Sequence, residues 1–148
     1  MRRRLRGDGG SIAIEFAFAA PTLLLLLALV YGYARVAQVS GTLDAGTRDA
    51  ARTASQARTV EDAEERVLET VRGSLLGAPA ECSRSLRAGV VGPFEAGVPV
   101  KVTATCRVSL DGLGLPGAPG SVQLTSSFSS PVDRNRGVDE GTGSLDLP

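Results

Sequence analysis

Histidine and tryptophan are absent from the chain. Without imidazole there is no Ser-His-Asp or Cys-His nucleophile system, and no zinc site that needs a histidine ligand. Two cysteines, Cys82 and Cys106, are too few for a closed cysteine-only metal site. Aromatic residues make up 4% of the chain, which argues against stacking platforms for bases or sugars. Lysine occurs once, at Lys101, and the formal net charge is zero, so no broad basic face is available for nucleic acid. These deficits leave little for pocket chemistry to use. The expectation is a non-enzymatic protein with no cofactor, no metal, no nucleic-acid partner and no small-molecule substrate.

What the chain does have is a segregated N-terminus. Arg2, Arg3, Arg4 and Arg6 crowd the first ten residues, opposed by Asp8 alone. Residues 16–34 then carry no charge at all, with leucine at every position from 23 to 27. At about 1.5 Å per residue that stretch forms a helix of roughly 28 Å, close to the ~30 Å hydrocarbon thickness of a bilayer. Tyr31 and Tyr33 stand near its far end, where tyrosine suits an interface, and Arg35 closes it. The arginine cluster predicts a cytoplasmic N-terminus and an extracytoplasmic remainder. A secretory signal peptide would share the basic start, but the best small-x-small site, at residues 34–37, holds arginine and valine between its alanines. Pro21 lies inside the run, where it removes a backbone hydrogen bond and favours a kink.

Glu15 sits at the threshold of this apolar run, five residues after Gly10. If Gly10 ends a leader, Ser11 becomes a new N-terminus with a positive amine. Adjacent glycines, Gly9 and Gly10, let the backbone lie extended in a peptidase cleft. A carboxylate at the edge of lipid calls for a partner, and an amine from a neighbouring subunit would supply one. The pattern from Arg6 through Gly10, then Ile14-Glu15-Phe16, Pro21, the leucines and the Ala/Arg-rich stretch at 44–54, resembles the TadE/TadG-like family. These are pseudopilins of the tight-adherence (Flp-type) pilus system. The resemblance is strong over residues 6–57 and diffuse beyond. It implies cleavage between Gly10 and Ser11 by a prepilin peptidase, and subunit registration through Glu15 beside Phe16. It also implies partners among other pilin or pseudopilin subunits and the platform proteins of that system.

Past Arg35 the helical pattern becomes small and polar. Leu43, Gly46, Ala50, Ala54 and Ala57 recur every three or four residues, a narrow face suited to close packing. That face fits either a neighbouring helix in a filament or the protein's own domain, and Gly41 and Gly46 favour a bend. Thr59 to Asp62 reads as a helix start, with Thr59 as N-cap and Asp62 reaching back. The helix should run to about Leu76 and stop at Gly77, burying Val60, Val67, Val71 and Leu75. Its carboxylates at 61, 62, 64, 65 and 69 read as a solvated face, with Asp62 paired to Arg66.

From Val98 to Leu110 alternate residues are apolar, the period of a half-buried strand. A weaker alternation at Val122, Leu124, Ser126 and Phe128 predicts a second strand, and residues 82–91 a shorter third. Residues 111–120, rich in glycine and proline, read as a connection. Cys106 falls on the valine face, where a buried free thiol is one reading. The extracytoplasmic setting and the availability of Cys82 favour a disulfide between them instead. Residues from 133 onward carry little apolar content and predict disorder.

The predicted fold is therefore α+β and pilin-like. It divides into a basic leader (1–10), a transmembrane helix (11–36), a small-residue extracytoplasmic helix (37–58), an amphipathic helix (59–77), a β-rich domain (78–132) and a flexible tail (133–148). The expected role is a minor pseudopilin or assembly component held in the cytoplasmic membrane, with a surface pilus as its further destination. The rival from another class is an uncleaved single-pass protein whose outer domain binds an envelope partner or ligand.

Overall fold

The computed structural model describes residues 9–109, 120–133, 135, 137–139 and 141–145, with side chains from Ala13 onward. The basic leader up to Asp8, Leu110 and most of the Gly/Pro-rich connection lie outside the described residues, and Gly10 and Ser11 are described as backbone only.

The first helix, α1 (Gly9–Ala54), runs unbroken for 46 residues, about 69 Å at the α-helical rise. The helix continues through Pro21, Gly41 and Gly46. Beside Pro21, the Thr22 hydroxyl donates to the Phe18 carbonyl at 2.9 Å. The two halves of α1 meet different surroundings. Residues 13–31 are exposed, whereas Val39, Leu43, Ala50 and Ala54 are buried.

The second helix, α2 (Val60–Ser74), packs along that buried half. Thr59 caps it, its hydroxyl accepting from the Asp62 amide at 3.2 Å. The expected reciprocal bond is replaced. The Asp62 carboxylate turns outward to Arg66 Nε at 2.7 Å, because the i,i+4 guanidinium offers a charged donor. Val60, Ala63, Val67, Val71 and Leu75 all point inward. Gly77, at φ +91°, lets the chain turn where a side chain would strain it.

A short helix, α3 (Ala80–Ser85), precedes strand β1 (Arg87–Val91), so the predicted third strand is helical in its first half. Strands β2 (Pro93–Phe94), β3 (Pro99–Ser109) and β4 (Ser121–Pro131) follow. The main sheet is antiparallel with order β1-β3-β4, placing Val90 opposite Val102 and Phe128 opposite Val102 on the other side. Its valine face lies under α1 and α2. On the opposite face Thr103 and Thr105 are also buried, since a central strand is flanked on both sides. There the Thr103 and Ser127 hydroxyls hydrogen-bond at 2.8 Å.

The tail departs from its predicted disorder. Strand β5 (Gly141–Thr142) pairs with β2, and the Gly143 amide donates to the Gly92 carbonyl at 2.9 Å. The Ser144 amide and hydroxyl both donate to the Glu64 carboxylate, at 2.7 and 2.8 Å. Docking needs little apolar bulk because it uses backbone bonds and close approach. A side chain at Gly143 would run into the Val90 carbonyl, and one at Gly141 into Val60.

Helices α1 and α2 approach closely at Gly46, where an added Cβ would lie 2.8 Å from Ser74 Cβ. At Gly41 the same atom would meet nothing. Gly41→Ala is therefore expected to stabilise the head (residues 39–145) by up to about 1 kcal/mol through helix propensity. Gly46→Val should destabilise it by about 1–3 kcal/mol through overpacking. Thermal melts of the full chain in nanodiscs check the opposite signs.

Candidate functional site

The predicted assembly residues occupy the free half of α1. Glu15 lies five residues past Gly10, about 7.5 Å along the axis at the helical rise. Its carboxylate is exposed and has no hydrogen-bond or ion-pair partner among the described residues. Phe16 is 71% exposed and Phe18 74%, and the leucines that follow are uncovered as well. Such a surface cannot face water along its whole length. It is the one helix among the described residues long and apolar enough to cross a membrane. Arg35 ends the run, its Nη1 donating to Gln38 Oε1 at 3.3 Å, and the first buried side chain of α1 among the described residues is Val39.

The small-residue face has a different fate. Leu43, Gly46, Ala50, Ala54 and Ala57 are all buried against the chain's own α2 and sheet. Of the two readings of that face, intramolecular packing is the one realised. The apolar helix surface left uncovered is therefore that of residues 13–31.

Cys82 and Cys106 form a disulfide, with Cα atoms 4.9 Å apart at a sequence separation of 24. It joins α3 to the end of β3, and two further side chains reinforce the joint. The Ser85 hydroxyl accepts from the Arg107 amide at 2.8 Å, and the Glu81 carboxylate accepts from the Ser109 amide at 2.8 Å. Pairing with β1 stops at Thr105, so these α3 groups satisfy amides that a longer strand would have served. That substitution is invisible in sequence, and it explains why Cys82 sits on a helix.

Hydrogen bonds from Ser109, with Arg84 and Arg107 close by, hold the Glu81 carboxyl below the usual glutamate range. A carboxyl lowered in the folded state stabilises it above the unfolded pKa of about 4.3, and that contribution is lost as pH falls through the folded value. Glu81→Gln should therefore remove a small acid-side loss of stability that the native chain shows below about pH 4. Melting temperatures of the two proteins across that range provide the check.

Together these features define a class: a single-pass membrane protein with one long N-terminal helix carrying a small, disulfide-stapled α+β head. Residues 10–52 match the family model described as TadE-like protein. The match covers most of α1, from the apolar run to the part packed inside the head, and agrees with the resemblance seen in the sequence. No curated protein and no solved structure matches the chain.

Proposed function

We propose that this chain is a minor pseudopilin or assembly subunit of a tight-adherence pilus, processed after Gly10 and registered in its assembly by Glu15. The observation that carries the reading is the uncovered first half of α1: an apolar helical surface, headed by a carboxylate with no partner among the described residues, set five residues beyond Gly10. The arginine cluster at positions 2–6 keeps the N-terminus cytoplasmic, which presents Gly10 to a peptidase on that face and leaves the head outside. Cleavage creates an amine at Ser11, charged at neutral pH because α-amino groups titrate near 7.7. In an assembly this amine meets Glu15 of a neighbour, while Phe16 and the leucines pack against adjoining helices. Prepilin peptidase, related pilin-like subunits and platform proteins are the partners this role requires.

Co-expression with a cognate prepilin peptidase should yield a membrane protein whose intact mass begins at Ser11. Retention of Met1 in the presence of active peptidase would eliminate the processing step and favour the rival role, a permanently anchored protein whose head binds an envelope partner.

A further inference from the structure

We propose that the membrane-proximal end of the head docks on the phosphate headgroups of anionic lipids, through a cleft of three arginines flanked by the exposed Leu76. This rests on α1 spanning the membrane and is independent of any role in a pilus.

The first step is to place that end of the head relative to the bilayer. The Arg48 guanidinium stacks 4.8 Å from the Phe128 ring, which fixes one level shared by α1 and β4. From Phe128 back to Gln123 the strand descends about 17 Å. The same descent along α1 takes about eleven residues, from Arg48 to Ala37. The contact between the Ser55 and Ser130 hydroxyls, at 3.2 Å, provides a second marker. Seven strand residues below it, about 24 Å, correspond to Val39. Gln123, and Arg107 paired opposite it, therefore lie level with residues 37–39, a few ångströms beyond Arg35. The polar layer of a bilayer extends roughly 5–7 Å beyond the hydrocarbon on each side. This end of the sheet stands in that layer.

The chemistry found there suits phosphate. A cleft of about 480 Å³ is lined by Arg84, Arg87 and Arg107, with Thr105 and Gln123. None of the three arginines forms an ion pair among the described residues. Glu81 lies near Arg84 and Arg107 and is already bonded to Ser109, so the cleft keeps an excess of positive charge. Guanidinium forks bind phosphate oxygens with two parallel bonds.

Leu76 supplies the second element. It is 85% exposed while its neighbour Leu75 is 2% exposed. Leu76 and Pro79 share an opening with Arg35, Gln38, Val39 and Thr42, so this turn also stands beside the membrane exit of α1. A solvent-facing leucine at that height can enter the boundary between headgroups and acyl chains. The far end of the head carries the opposite charge, with Glu61, Glu64 and Glu65 on the first turns of α2. A negatively charged membrane surface therefore attracts one end of the head and repels the other.

The test uses the full chain in nanodiscs of zwitterionic lipid, with and without an anionic phospholipid. Amide hydrogen exchange of the native chain should slow over residues 75–87 in the anionic discs. Each arginine near an anionic surface is worth about a fivefold change in the docked-to-undocked ratio. Arg84→Gln, Arg87→Gln and Arg107→Gln should each reduce the protection by about that factor. Because the chain has no tryptophan, Leu76→Trp adds a single reporter. Its emission should be quenched by lipids brominated near the headgroup. Equal exchange in both kinds of disc, or protection indifferent to the three arginines, would overturn the proposal. So would inorganic phosphate in zwitterionic discs reproducing the full effect, since the ligand would then be a free anion.

Discussion

Cys82→Ser combined with Cys106→Ser should lower the stability of the head by about 3.5 kcal/mol, the loop-closure entropy for a link across about 25 residues. The effect is expected to be large because the core is built from small side chains. Val67, Val71, Val90, Val100, Val102 and Val108 dominate it, with alanines at 50, 51, 54, 57, 63 and 104, and Phe94 is its one fully buried aromatic ring among the described residues. A domain of this size has little stability to spare. The link also holds α3 against the end of β3, where Ser85 and Glu81 satisfy the amides of Arg107 and Ser109. Losing the covalent joint loosens both bonds. Exchange at amides in the middle of β3 and β4 reports the global opening energy and should accelerate several hundredfold. Acceleration below about twofold would mean that packing alone sets the stability of the head.

The parts of this fold that were legible in the sequence are those governed by local periodicity. The i,i+4 and i,i+7 spacing of Val60, Val67, Val71 and Leu75 identified the buried side of α2. The alternation from Val100 to Val108 did the same for β3. Thr59 was readable as a cap because capping is a matter of three residues. What stayed hidden depends on partners distant in the chain. Cys82 is helical because groups at 81 and 85 serve amides at 109 and 107, more than twenty residues away. The tail is held by backbone pairing and glycine contacts at 141 and 143, neither of which hydrophobicity detects. Thr103 and Thr105 look outward by alternation and are nevertheless buried, since β3 lies between two neighbours. The three arginines of the cleft illustrate the same limit. Positions 84, 87 and 107 converge only through the β1–β3 register and the disulfide, and as sequence they are scattered surface charges.

Glu15→Ala is the substitution that separates assembly from anchoring. The carboxylate lies outside the run of residues 16–34, so its removal leaves the apolar length that spans the bilayer unchanged. Insertion and a mature start at Ser11 should both survive. In the assembled state the position is different, because Glu15 and the amine of a neighbour would then face each other at the edge of lipid, where water screens them little. Truncating one member of a desolvated charged pair costs about 2–5 kcal/mol, largely because the other charge is left unpaired. At about 3 kcal/mol per contact, the association constant of each subunit falls by roughly two orders of magnitude. A polymer repeating that contact should not form. Glu15→Gln keeps the shape and one hydrogen bond while losing the charge, and its assembly should fall between the two. The measurement is surface pili counted against membrane-extracted protein of verified mass. Loss of pili with correct processing assigns the role to Glu15, whereas normal piliation from Glu15→Ala would leave it a bystander at the interface and move registration to Phe16 and the leucine face.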